Sequence, residues 1–139
     1  MTTVAGKGLL DTNAVILLAR LQVADLPGEV LISTVTLAEL SAGPLLAGDP
    51  VERSTRQAHL QQAEADFEAL PVDAATARAF GRVAADMRAA GRKPSARAFD
   101  ALIAATAIAN GLPLYTVNPD DFASVSELTV HAIPHPDRA

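Results

Sequence analysis

No cysteine occurs in the 139 residues. That removes disulfides, thiolate metal sites and cysteine nucleophiles together, and makes a reducing compartment the expected setting. Tryptophan is also absent and aromatics make up 4% of the chain, so a core must be assembled from Ala, Leu, Val and Ile. Positive charge is in deficit: 11 basic residues face 16 acidic ones, for a net charge of −5. A surface that grips nucleic acid all over is basic, so contact with phosphate must come from a local arginine cluster or through bound cations. No apolar run approaches the roughly 20 residues of a membrane span. Residues 1–8 lack the basic-then-apolar layout of a signal peptide, and the expected location is the cytoplasm. No Gly-x-Gly-x-x-Gly or Walker loop is present, so nucleotide-cofactor folds lose their best signature.

What remains is apolar. Half of the residues are hydrophobic and 19% are charged, too few polar groups for a disordered chain. The length suits a single domain over residues 1–139. Short apolar runs at 8–10, 30–33, 114–117 and 128–133 read as strands. Residues 70–72 are either a strand or a link. Helices are expected over 14–21, capped by Asn13 or Thr12, over 34–46, and over 51–69 with Leu60, Ala63 and Phe67 on one narrow face. Two further helices are expected over 74–90, closed by Gly91, and over 94–110, closed by Gly111. Residues 119–125 read as a turn or short helix, and 134–139 as a polar tail. Strands without alternation, separated by helices, indicate a parallel sheet covered on both faces. The expected class is α/β.

In such sheets ligands bind at the carboxyl ends of the strands, where strand order reverses. Acidic residues fall at those places. Asp11 follows the first strand, Glu39 lies in the helix after the second, and Asp100 lies early in an otherwise nearly all-apolar helix. Asp120 and Asp121 follow the strand at 114–117, with Asn118 ahead of them. Each has an ordinary alternative: a cap for Asp11, a solvated position for Glu39, turn chemistry for Asp120 and Asp121. Asp100, beside Phe99, Leu102 and Ile103, needs water, an arginine such as Arg97, or a metal. Carboxylates converging at one end of a sheet repel one another and call for a cation. Hard oxygen donors without cysteine favour Mg²⁺ or Mn²⁺ over zinc, and the matching chemistry is metal-assisted phosphoryl hydrolysis. His59, His131 and His135 form no zinc pair and no Ser-His-Asp set. Six of the eleven basic residues (Arg78, Arg82, Arg88, Arg92, Lys93, Arg97) fall within twenty positions. They are either helix ion pairs, such as Arg82 with Asp86, or a strip that tracks a phosphate backbone.

Leu9-Leu10-Asp11-Thr12-Asn13, Thr36-Leu37-Ala38-Glu39-Leu40 with Gly43, Asp100-Ala101-Leu102-Ile103-Ala104-Ala105-Thr106-Ala107, and Tyr115-Thr116-Val117-Asn118 with Asp121-Phe122 form an ordered pattern. Together they resemble the PIN-domain ribonucleases, and most closely the VapC type of bacterial toxin, over nearly the whole chain. The resemblance implies a PIN-like three-layer α/β/α fold with a central, mainly parallel sheet. It further implies an RNA endonuclease dependent on Mg²⁺ or Mn²⁺, working in the bacterial cytoplasm and inhibited by a VapB-type antitoxin. Asp11, Glu39 and Asp100 match the family's metal-binding, catalytic acids. Where many members carry a fourth Asp this chain has Asn118, with Asp121 near enough to complete the metal site. Thr12 and Thr116 match hydroxyls that orient ligands or phosphate; with Asn118 and Arg97 they form the expected substrate contacts. A homodimer is implied, as is an apolar groove on the helical pair at 34–69 that receives the antitoxin.

Two other phosphoryl-transfer classes also place an Asp after the first strand. A receiver needs a lysine after a late strand, and the only lysines are Lys7 and Lys93. A haloacid-dehalogenase site needs a second Asp where Asn13 stands. A catalytically weak module that only binds its antitoxin is the alternative that Asn118 keeps open.

Overall fold

The computed structural model describes residues 6–138. Residues 1–5, on which the reading of a missing leader partly rests, and Ala139 at the end of the tail lie outside them. Five strands form one sheet in the order β3-β2-β1-β4-β5. They are β1 (Lys7–Leu10), β2 (Glu29–Ser33), β3 (Glu68–Leu70), β4 (Leu114–Thr116) and β5 (Val130–Ala132). Every neighbouring pair is parallel, as the unalternating strands led one to expect.

The two faces are divided residue by residue along each strand. Leu9, Leu31 and Leu114 pack with Val83, Met87, Ile103 and Ala104, under α4 (Ala74–Ala89) and α5 (Ala98–Ala109). Leu10 and Ile32 point the other way, to Ala14, Leu40 and Ala63. Those belong to α1 (Thr12–Ile16), α2 (Thr34–Leu45) and α3 (Pro50–Asp66). Small residues let α5 sit close on the sheet: Ala101, Ala104, Ala105 and Ala107 are all fully buried. Gly8 in β1 makes room on the sheet for a different neighbour: a Cβ there would lie 2.6 Å from Tyr115 Cε1 and 2.9 Å from Pro27 Cβ.

Several boundaries differ from the sequence reading. The helix expected over 14–21 is a short α1 followed by a 3₁₀ turn at Leu18–Arg20. Its cap is Asp11, the ordinary role the sequence offered for that residue, and not Asn13 or Thr12: Asp11 has extended backbone and its carboxylate accepts from the Ala14 N–H. The third helix stops at Asp66, because Phe67 turns extended and leads into β3. The expected strand at 70–72 therefore sits two residues earlier. α5 starts at Ala98, four residues later than expected. Gly91 and Gly111 do end their helices with positive φ, +80° and +65°, the conformation glycine takes without a Cβ penalty.

From β1 the chain winds outward through β2 to β3, then crosses back and winds the other way through β4 to β5. Strand order thus reverses between β1 and β4, and the crevice beyond their carboxyl ends is the natural place for a ligand.

Candidate active site

Asp11 leaves β1 directly into that crevice and is only 5% exposed. Oδ1 accepts from the Ala14 N–H (3.0 Å) and Oδ2 from the Thr116 hydroxyl (2.6 Å). Thr116 in turn accepts from the Asn118 N–H (2.9 Å), so the end of β4 is tied to the end of β1 through one carboxylate. Burial pushes the Asp11 carboxyl up to about 6 against the pull of these two hydrogen bonds, and the negative charges of Asp100 and Asp121 add to the rise.

Glu39 reaches the same end from α2. Its Oε1 accepts from the Thr12 hydroxyl at 2.6 Å. That uses the one proton of Thr12, so Thr36, whose Oγ is 3.0 Å from that of Thr12, is the donor of the next bond. Thr36 has no exposure, and the chain Thr36 to Thr12 to Glu39 runs from the core to the cleft. Burial holds Glu39 above the ordinary range; the Thr12 bond opposes this and Asp100 reinforces it.

Asp100 stands in the first turn of α5. Burial raises it, and so does Asp121, while Arg97 and Arg92 pull the other way. Arg97 lies between two acids, its Nη1 at 3.0 Å from Asp121 Oδ1 and 3.7 Å from Asp100 Oδ2. A cleft of about 340 Å³ opens here, lined by Glu39, Asp100, Arg97, Ser95 and Phe99. Phe99 at its lip is 55% exposed.

Asp100 is thus the centre of the acidic end: its charge acts on Asp11 and on Glu39, and Asp121 acts on Asp100 and on Asp11. Asp120 is exposed, and its backbone carbonyl takes a bond from Arg92 Nη2 (2.8 Å). Asn118 contributes its backbone N–H to Thr116. Thr12 and Thr116, expected to face ligands or phosphate, give their protons to Glu39 and Asp11. Among the described residues no three acidic or imidazole side chains converge tightly enough to enclose an ion unaided. Such a donor set suits a hydrated hard cation, since Mg²⁺ keeps several waters and takes one or two carboxylates directly. Carboxylates raised chiefly by burial, and further by neighbouring negative charge, are what such a cation relieves.

The arginine-rich stretch divides. Arg82 pairs with Glu127 (2.6 Å), not with Asp86 as the helical spacing suggested. Asp86 accepts from the N–H and hydroxyl of Ser126 instead. Arg92 and Arg97 alone turn toward the acids. Two features escaped the sequence reading. Thr36 is one, although its place three residues before Glu39 put it on the same helical face. The other is a second cleft of about 260 Å³ on the far side of Glu39, lined by Asn13, Ile16, Leu40, Arg56 and His59 among others. No local pattern announces it, because its walls come from three helices.

A parallel, two-sided α/β sheet with carboxylates gathered at its switch point defines the class: an α/β protein with an acidic cleft at the strand ends. The chain belongs to the PIN domain family, whose model matches residues 8–128. It is 44% identical over 105 residues to Ribonuclease VapC8 of Mycobacterium tuberculosis strain H37Rv, spanning 73% of this chain and 91% of that protein. Identity to Ribonuclease VapC5 of the same strain is 38% over 128 residues, covering 90% of this chain and 92% of the relative. The solved structure of VapBC-5 from M. tuberculosis, a member of the VapBC family of toxin-antitoxin systems, superposes with a TM-score of 0.79. That match has 37% identity and covers 91% of this chain and 98% of the other.

Proposed function

We propose that this chain is the ribonuclease toxin of a type II toxin–antitoxin pair, an endonuclease that hydrolyses RNA phosphodiester bonds with a divalent cation. The observation that carries the reading is the meeting of Asp11, Glu39, Asp100 and Asp121 at the switch point of a PIN fold. A relative named as a ribonuclease matches nine-tenths of the chain at 38% identity, and the reading agrees with it.

In this reading Asp11 and Asp100 hold a Mg²⁺ or Mn²⁺ ion, with Glu39 and Asp121 completing its surroundings directly or through water. The ion, when bound, lowers the pKa of the attacking water and screens charge on the phosphate. The protein's own groups do the rest. Thr116 and the Ala14 N–H fix both oxygens of Asp11, leaving the carboxylate no freedom to rotate out of line. Thr36 and Thr12 orient Glu39. Arg97, already among the acids, is placed to take a phosphate oxygen of the RNA, with Asn118 beside the same strand end. Asp121 restores a fourth carboxylate despite Asn118, which favours an enzyme over a module that only binds its partner.

The partner we propose is a VapB-type antitoxin, and the site of action the bacterial cytoplasm. Among the described residues no helix is long and apolar enough to cross a membrane. Leu45, Leu46 and Val51 stand 83%, 76% and 77% exposed where α2 meets α3, an apolar patch on the helical pair expected to receive the antitoxin. The family resemblance also implies a homodimer, which sedimentation of the isolated chain would read.

Induced expression in a bacterial host tests the toxin reading. Growth arrest by the wild type, relieved by co-expressed antitoxin and absent with Asp11→Asn, is expected. Arrest by Asp11→Asn equal to wild type would refute it.

A further inference from the structure

Glu39 is shared by two clefts. One is the acidic cleft with Asp100; the other lies against α3 and shares only Glu39 and Thr12 with the chemistry above. We propose that the second cleft is a nucleobase subsite, holding one base of the single-stranded RNA next to the phosphate that is cut. The proposal rests on the ribonuclease reading and adds where the enzyme reads sequence.

The walls argue for a flat, partly polar ligand. Leu40 supplies a buried apolar floor, and Ile16, half-exposed, an apolar side. Arg56 is held in place twice: Nη1 donates to the Gly43 carbonyl (2.9 Å), and Nη2 pairs with Glu52. With its charge balanced and its plane fixed, this guanidinium offers a face for stacking more than a charge for phosphate. His59 lies one turn further along α3 and adds a second π surface. Asn13, exposed and one residue beyond Thr12, brings an amide that can both donate and accept at a base edge. Single-stranded RNA is read by such means: splayed bases stacked on aromatic rings or guanidinium planes and hydrogen-bonded along their edges. A volume of about 260 Å³ falls below the usual range for drug-sized ligands and suits one base. Because Glu39 forms a wall of both clefts, a base seated here belongs to a nucleotide flanking the scissile phosphate.

The test uses His59→Ala, His59→Phe and Asn13→Ala, with two readouts. The first is the base frequency at positions flanking the cuts when a mixed RNA pool is digested with Mn²⁺. The second is fluorescence anisotropy of labelled single-stranded octanucleotides in EDTA, which needs no cleavage. The wild type is expected to show a base preference at one flanking position. His59→Ala should flatten that preference and weaken octanucleotide binding about 5- to 150-fold, the range for losing one stacked base, and His59→Phe should restore binding. Asn13→Ala should change which base is preferred.

Unchanged preference and binding in all three variants, with the wild type still cutting, would overturn the subsite and leave the nuclease standing. Loss of antitoxin capture by His59→Ala with RNA binding intact would assign the cleft to the protein partner and overturn the proposal. A wild type that binds and cuts no RNA would remove both readings together.

Discussion

Ionising Asp11 costs the fold stability, because the carboxyl is buried. Its carboxyl moves from 3.8 when free to about 6 in the folded chain, chiefly through burial. Below the lower value the proton is bound in both states. Between the two the folded state binds more protons, so stability falls as pH rises, and the loss is complete above about pH 6. Two pKa units correspond to roughly 3 kcal/mol, with Glu39 and Asp100 shifted in the same direction. In EDTA, the melting temperature of the wild type should therefore decline between about pH 4 and pH 6 and change little from there to pH 7.5. Asp11→Asn should flatten much of that decline, because Asn keeps an oxygen for the Ala14 N–H without the charge. Mn²⁺ should raise the wild-type value at pH 7.5 and leave Asp11→Asn nearly unmoved. A wild-type profile that Asp11→Asn reproduces would show that Asp11 is not the group being titrated.

Elements set where these residues stand, and their ends are anchored by side chains. Ser33 is fully buried at the start of α2 and its hydroxyl accepts from the Val35 N–H (3.0 Å). Since Thr106 donates to the Leu102 carbonyl (2.8 Å), the proton of Ser33 is free to point at Thr106 Oγ, 3.4 Å away. Ser33→Ala should cost about 1–2 kcal/mol, the worth of a cap, read as a lower denaturation midpoint at unchanged slope. Gly8→Ala should cost about 1–3 kcal/mol by overpacking. Its Cβ would push into a Tyr115 ring already stacked on His131, with centroids 4.6 Å apart. A midpoint equal to wild type would mean that Tyr115 yields freely.

The strands around Leu9, Leu31 and Leu114 were readable from their apolar runs, and so was the parallel sheet, because buried strands have no solvated face to alternate with. The ends Gly91 and Gly111 were readable from glycine chemistry alone. The start of α5 was not, since Pro94-Ser95 suits either a turn or a first helical turn. Nor was the role of Asp11 as both cap and buried acid, because the same Asp-Thr-Asn triplet serves either purpose. Arg82 shows the same limit: helical spacing offered Asp86, while the tertiary fold brought Glu127 nearer.

At the scale of the whole molecule, the deficit of positive charge and the acidic cleft belong together. Net charge of −5 gives no general hold on RNA, so under the proposed function affinity would come from Arg97, from a bound cation and from stacking surfaces in the clefts. Binding should therefore depend on divalent metal more steeply than on monovalent salt, in contrast to a basic protein that works by counterion release. For the antitoxin, the proposed contact is the apolar patch of Leu45, Leu46 and Val51. Paired Leu45→Glu and Leu46→Glu changes should weaken antitoxin capture at least tenfold in a pull-down with purified antitoxin. Capture at the wild-type level would place the partner on another face.

The most direct measurement is digestion of a mixed pool of structured RNAs by wild type and Asp100→Asn, each with Mn²⁺ and with EDTA. The account predicts discrete cuts by wild type with Mn²⁺, none with EDTA, and none by a folded Asp100→Asn under either condition. Full Mn²⁺-dependent cleavage by Asp100→Asn, or cleavage by wild type that EDTA leaves untouched, would contradict it.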